Sequence, residues 1–293
     1  YLGEELIDWQ GSLPTGYAWF EISYLVQQEI TKMKKREYSW PVGHWDWYQH
    51  LAFKHGIRVG DLMFVGGQVD KTDQGEPLHA YDLKRQTASV VSHLETVLHG
   101  LGSGLKDVTR LVAFYASDGN VDEQAFLEHV GLCIINDSGD TLRDCGPAIT
   151  AVPLPCLALP GMMVEIEAVA IAPGSGNDRQ VANPRGFAPL PAPFCHGIRC
   201  GSHIWVSAQS ISHQGPVGDG SNETREQTAA MMNQIGAVLR DLDADLNDIV
   251  RTGCWYRGDG TRSSWEDQAV VRGEHFPDHA PASTELPTSC LPA

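Results

Sequence analysis

Apolar residues along the chain follow two different periods. Leu62–Val69 (LMFVGGQV) is a hydrophobic run around paired glycines and reads as a strand. Val90, Val91, Leu94, Val97, Leu98 and Leu101 then recur every three to four positions. That spacing predicts one apolar helix face, and Gly102 stands where the helix would stop. A second strand is expected over Val108–Tyr115 and a second helix over residues 122–133. Over Met162–Ile171, Val164, Ile166 and Ala168 alternate with Glu165 and Glu167, as in a strand with one buried face.

The series then returns. FKHGIRVGDLMFVGGQV at 53–69 is matched by FCHGIRCGSHIWVSAQS at 194–210, at a constant offset of 141. Phe53, His55, Gly56, Ile57, Arg58, Gly60, Val65 and Gln68 recur as Phe194, His196, Gly197, Ile198, Arg199, Gly201, Val206 and Gln209. Farther on, Gln86-Thr87-Ala88 recurs as Gln227-Thr228-Ala229, Asp107 as Asp248, Arg110 as Arg251 and Tyr115 as Tyr256. The second helix face is Met231, Met232, Ile235, Val238, Leu239 and Leu242, with strands expected at Ile204–Ser210 and Ile249–Tyr256. Near the end the offset becomes 134, so that Pro147-Ala148-Ile149-Thr150 meets Pro281-Ala282-Ser283-Thr284. A unit this long is a duplicated domain rather than a solenoid repeat. Ala293 is the partner of Leu159, so no counterpart of PGMMVEIEAVA is among these residues. The expectation is an exposed sheet edge, unless further chain or another segment fills the place.

Four segments follow: an extension at 1–52, a first repeat at 53–172, a linker or lid at 173–193 rich in Gly, Pro, Asn and Asp, and a second repeat at 194–293. The extension carries Trp9, Trp19, Trp40, Trp45 and Trp47, five of the eight tryptophans, and so is expected to pack against a domain face, a neighbouring subunit or a substrate pocket.

Of the 293 residues 42% are hydrophobic, enough for a core, and no apolar run is long enough to span a membrane. No membrane partner is expected. The chain starts at Tyr1, so a leader or a few residues could precede it. A net charge of −16 disfavours nucleic acid; the dense basic run, Lys32, Lys34, Lys35 and Arg36, reads as a solvated helix end. Seven cysteines without a CxxC argue against a disulfide framework or a zinc knuckle and favour a reducing cytoplasm. Cys145 is the least core-like of them. His44, Asp46 and His50, and likewise His275, Asp278 and His279, fit no demanding metal motif, so no metal site is expected. GGQ at 66–68 lacks the GK[ST] of a phosphate loop, and no GxSxG elbow occurs.

IRVGDLMFVGGQV, the helix opening at QT, LKDVTRLVAFY, the PAIT segment and LPGMMVEIEAVA, in that order, resemble the RidA (YjgF/YER057c/UK114) family. The resemblance implies an α+β fold of two tandem chorismate-mutase-like domains, each a mixed β-sheet with two helices on one face. It also implies a homo-oligomer, as a trimer of tandem chains or a dimer, with clefts between domains. The implied chemistry is hydrolysis of small imines or enamines to ketone and ammonia, without metal or organic cofactor. An arginine holds the substrate carboxylate, and a carboxylate directs the attacking water.

Carried over residue by residue, the resemblance puts Glu167 at the water-handling position, with Glu165 on the same strand face. Ile149 and Ser283 stand where the family arginine falls, and Phe53 and Phe194 where it keeps a tyrosine. These departures imply a different substrate, such as a larger, aminomuconate-like enamine, with Phe53 and Ile149 as an apolar wall. His55 and His196 are candidate replacement acids or bases, or else structural histidines bonded to loop backbone. Arg58 and Arg199 are candidate clamps or surface residues, and Tyr115 and Tyr256 are substrate contacts or sheet packing. Two function classes remain: a hydrolase of C–N bonds, or a non-catalytic small-molecule-binding or scaffold protein.

Overall fold

The computed structural model describes residues 35–44, 52–138, 142, 146–172, 178–210, 221–258 and 261–288. Trp9, Trp19, Trp45, Trp47, Asp46, His50, Cys145 and the start of the linker, residues 173–177, lie outside them.

In the first repeat β1 (Arg36–Ser39), β2 (Gly56–Val59), β3 (Leu62–Gln68), β4 (Val108–Ala116), β5 (Ala148–Leu154) and β6 (Val164–Ile171) form one sheet in the order β1-β2-β3-β6-β4-β5. β4 and β5 run parallel; the other neighbours are antiparallel. Helices α1 (Leu83–His99) and α2 (Glu123–Ser138) cover one face, giving the mixed α+β layer expected. The predicted α1 stripe is the core: Val90, Val91, Leu94, Val97 and Leu98 are fully buried against Met63, Val65, Ile166 and Ala168. Each such side chain contributes about 1.5–3 kcal/mol relative to exposure. Asp82 caps α1 by accepting from the Arg85 amide at 3.0 Å. Gln86 explains the recurring QT: its amide donates to the Gly161 carbonyl (2.7 Å) and its oxygen accepts from the Met163 amide (2.7 Å), tying α1 to the approach to β6.

The second repeat contains β7 (Arg179–Ala182), β8 (Gly197–Cys200), β9 (His203–Val206), α3 (Ser221–Asp241), β10 (Arg251–Tyr256), α4 (Arg262–Glu274) and β11 (Ala282–Pro287). Its registers copy the first repeat. Leu111 faces Ile149 across β4 and β5, and Thr252 faces Ser283 across β10 and β11.

Three expectations change. The segment 173–193 is not linker throughout, because β7 pairs with β8 as β1 pairs with β2; the repeat therefore reaches upstream of Phe53 and Phe194 in both copies. The strand expected over Ile204–Ser210 ends at Val206, because the chain beyond it turns to the first repeat: Ser207 accepts from the Ile149 amide (2.8 Å) and the Ala208 amide donates to the Ile149 carbonyl (3.1 Å). Finally, β6, whose counterpart is not among the described residues, lies inside the first sheet, not at its rim. Among the described residues the second repeat accordingly has two sheets, β7-β8-β9 and β10-β11, with no strand joining them.

The repeats are stitched through β5. Phe194 enters the first repeat's core beside Ile149, and Ala148 bridges to Cys195. Gly131 on α2 allows this approach, since a Cβ there would strike the Ala192 carbonyl.

Candidate functional site

Strand alternation gives the first sheet a second face, away from the helices. Glu165 and Glu167 project from it because Val164, Ile166 and Ala168 occupy the helix side. Register places Val112 of β4 beside Glu167 and Phe114 beside Glu165. Arg110, two residues before Val112, therefore shares that face. Its Nη1 lies 3.5 Å from Glu167 Oε1, with the side chains 29% and 41% exposed.

β3 makes room for the pair. Its register with β6 slips between Val65 and Gln68, at Gly66 and Gly67. Glu165 lies across Gly67, where any Cβ would collide with its carboxylate. The second repeat has Ser207 and Ala208 at these positions.

Electrostatics raise both carboxyls on this face. Burial pushes Glu167 above the usual carboxylate range, opposed by Arg110. Burial also raises Glu165, with Lys71 opposing and Glu167 reinforcing. The result is a partly exposed carboxyl pair flanked by a guanidinium and an ammonium. Such a pair can accept a proton from water and hold an anionic group.

The remaining candidates sit elsewhere. Ile149 is buried with Leu111 on the helix side of β5, so it forms no wall for Glu167; Thr150 holds the place on the Glu167 face. Tyr115 is also in the core, its hydroxyl donating to Glu123 Oε2 at 2.7 Å. Arg58 donates to the carbonyls of Gly60 (3.0 Å) and Leu101 (3.0 Å), and Arg199 to those of Gly201 (3.2 Å) and Leu242 (2.9 Å). In both repeats that arginine clasps a strand turn to the end of a helix. Phe53 packs tilted against Trp40 and edge-on against His55; Phe194 is in the first core. His196 contacts the Ala188 carbonyl through Nε2 (2.9 Å) and packs on Phe187. Ser283 is exposed, accepts from Arg272 (3.1 Å) and donates to Glu285 (3.0 Å).

The structure thus joins Glu165 and Glu167 to Arg110, Lys71 and Gly67, which motif reading had passed over. Arg110 left one signal, its recurrence at Arg251; its nearness to Glu167 required the strand register. Two surface depressions of about 330 Å³ (Glu95, Ser103, Asp107) and about 600 Å³ (Lys35, Glu37, Asp61) lie away from Glu167. Among the described residues no group of three or more His, Cys, Asp or Glu is placed to hold a metal ion, and no helix is long and apolar enough to cross a membrane.

The family model described as Endoribonuclease L-PSP matches residues 48–172. The RutC family protein YjgH of Escherichia coli (strain K12) is 28% identical over 88 residues, 30% of this chain and 66% of that protein. A RutC family protein of Pyrococcus abyssi (strain GE5 / Orsay) is 31% identical over 68 residues, 23% of this chain and 53% of that protein. The matches span less than two thirds of either relative's length. A solved Mycobacterium tuberculosis member of the YjgF/YER057c/UK114 family is 22% identical, covering 47% of this chain and all of that one, with a TM-score of 0.36.

Proposed function

Residues 48–172 form a domain of the RidA (YjgF/YER057c/UK114) family, and from that premise we propose that the first repeat hydrolyses a small carboxylate-bearing imine or enamine, of aminomuconate-like type, at the Glu165–Glu167 face. The observation that carries the reading is the Glu167–Arg110 pair on an accessible sheet face beside a second raised carboxyl. Arg110 takes the role of the family arginine that Ile149 replaces. A substrate carboxylate competes for its guanidinium and releases Glu167 as base.

An enamine takes a proton at carbon from Glu165 in its acid form and becomes the protonated imine. Water adds to the imine carbon and gives one proton to Glu167, which passes it to nitrogen. The C–N bond then breaks as the hydroxyl of the adduct returns its proton to Glu165, so that ketone and ammonia leave and both carboxyls regain their starting states. Water is the co-reactant, and neither metal nor organic cofactor enters the balance. The cytoplasm suits a chain whose described cysteines are all free thiols. A homo-oligomer belongs to this reading: the exposed β11 repeats the position of β5, which already carries a domain contact.

Ammonia release from a panel of imines and enamines tests the proposal. Glu167→Gln is expected to lower kcat by about 10²–10⁴-fold. Arg110→Met is expected to raise KM for carboxylate-bearing substrates and to leave neutral ones unchanged. Equal turnover by wild type and Glu167→Gln across the panel sinks the reading. A second reading, a non-catalytic binding protein, is favoured by the ion pair itself, which occupies both groups; it predicts ligand binding lost with Arg110→Met and no turnover by any form. Cleavage of RNA, followed separately by fragment length, tests a nuclease activity, which the −16 charge disfavours.

A further inference from the structure

Three imidazoles meet in the first repeat, away from the proposed reaction. His44 follows β1, His55 precedes β2 and His93 lies on α1. The His44 ring is 4.6 Å from His55 and 4.7 Å from His93, edge to face in both cases. Trp40 and Phe53 cover His55 at 4.5 and 5.6 Å. His55 is 2% exposed and His44 7%. His44 Nε2 contacts Gln68 Oε1 (2.9 Å), and His93 Nδ1 contacts the Val69 carbonyl (3.0 Å). The cluster joins the segment carrying β1, the start of β2, the end of β3 and α1.

The second repeat supplies an internal comparison. β1 and β7 correspond at an offset of 143, which puts Phe187 in the place of His44. At the offset of 141, Gln234 takes the place of His93. Phe187 packs edge-on against His196 at 5.1 Å, as His44 packs against His55. The packing recurs, but the titratable trio does not.

We propose that His44, His55 and His93 form a proton-sensitive latch that holds the segment from Lys35 to His44 on the first repeat at neutral pH and releases it on acidification. Two protonated rings at these separations would bring like charges together where little water enters. Among the described residues, charged side chains also face the cluster. Lys54 lies over Trp40 at 5.5 Å and adds positive charge. Asp70, after β3, favours protonation of His93, but it is held by His79 at 2.9 Å. Burial, then His44 and His93, hold His55 down to about 4. Burial, then His44, lower His93 against Val69 and Asp70. With folded values below the unfolded 6.5, the latch is at full strength above 6.5 and weakens as pH falls from there towards the folded values.

Hydrogen exchange at peptide resolution between about pH 7.5 and about pH 5, corrected for the intrinsic pH effect, tests this. Protection of Arg36–Ser39 and Gly56–Val59 is expected to fall by up to about tenfold per pH unit for each proton taken up. Protection of Arg179–Ala182 and Gly197–Cys200 is expected to hold. No change, or equal change in both repeats, overturns the proposal. The double variant His44→Phe/His93→Gln, which writes the second repeat's residues into the first, is expected to lose less protection in acid than the wild type, because His55 keeps its burial but loses both neighbouring rings; an equal loss overturns the proposal. Histidine ring NMR of the wild type decides the matter even if that variant does not fold: His55 titrating near 6.5 would also overturn it.

Discussion

The two repeats share strand registers and have almost opposite interiors. On the helix side of β4 and β5 the first repeat places Leu111, Ala113, Ile149 and Ala151. At the matching positions of β10 and β11 the second places Thr252, Cys254, Ser283 and Glu285. There Glu285 is bonded by Arg272, Gln268 (2.9 Å) and Ser283 (3.0 Å), a polar lock in place of an apolar layer. The glycines under Glu165 become Ser207 and Ala208, and these hold the neighbouring repeat instead of leaving space for a carboxylate. Register therefore survives duplication while the chemistry at each register position diverges: backbone pairing sets register, and side chains at a paired position are free to change wherever packing allows.

Four experiments would break or sharpen this contrast. Leu94→Ala, in the first core, is expected to cost about 3 kcal/mol in chemical denaturation; its half-buried counterpart Ile235→Ala should cost about half as much. Equal costs would mean that the second repeat is packed like the first. Exchanging residues at the family's arginine position comes next. Ile149→Ser leaves a void and a buried hydroxyl and should cost about 2–3 kcal/mol, whereas Ser283→Ile on an exposed strand should stay within about 1 kcal/mol. The third experiment targets what the repeats share: Arg58→Met and Arg199→Met each remove two bonds to backbone carbonyls, and each should cost about 1–2 kcal/mol. A large inequality would show that the clasp matters in one repeat only.

The smallest effect is a sign. Glu165 and Glu167 are raised by burial, so their contribution to stability is largest in acid and is lost as pH rises from 4.5 through their folded values. Burial also pushes Glu285 up, but its bonds from Gln268, Arg272 and Ser283 outweigh this and hold it below 4.5, so its contribution is present above 4.5 and lost as pH falls through its folded value. Denaturation of Glu165→Gln and Glu285→Gln across this range should change the pH slope in opposite directions; a shared sign would break the contrast.

Helix α1, strands β3, β4 and β6 and the duplication were legible because each rests on a period or an offset along the chain. The role of Gln86 was not, since the carbonyl it holds is at Gly161, 75 residues away. Ile149 was legible as a departure from the family pattern but not as a core residue. Its side depends on pairing with Leu111, and a one-residue change of register would have turned it towards Glu167. The strand at 179–182 was hidden in a Gly- and Pro-rich stretch, because four residues with a single partner strand leave little pattern.

Periodicity and internal repetition, carried by the sequence alone, determined the α+β class, the two copies and the single strand bearing Glu165 and Glu167. Tertiary structure decided which residues share a face: Arg110 with Glu167, Tyr115 with Glu123, and three histidines from separate segments in one cluster. The physical reason is range. Hydrophobic periodicity acts over one turn or one pleat and is written locally, whereas a site is made of side chains brought together only after strands far apart in sequence have chosen their register.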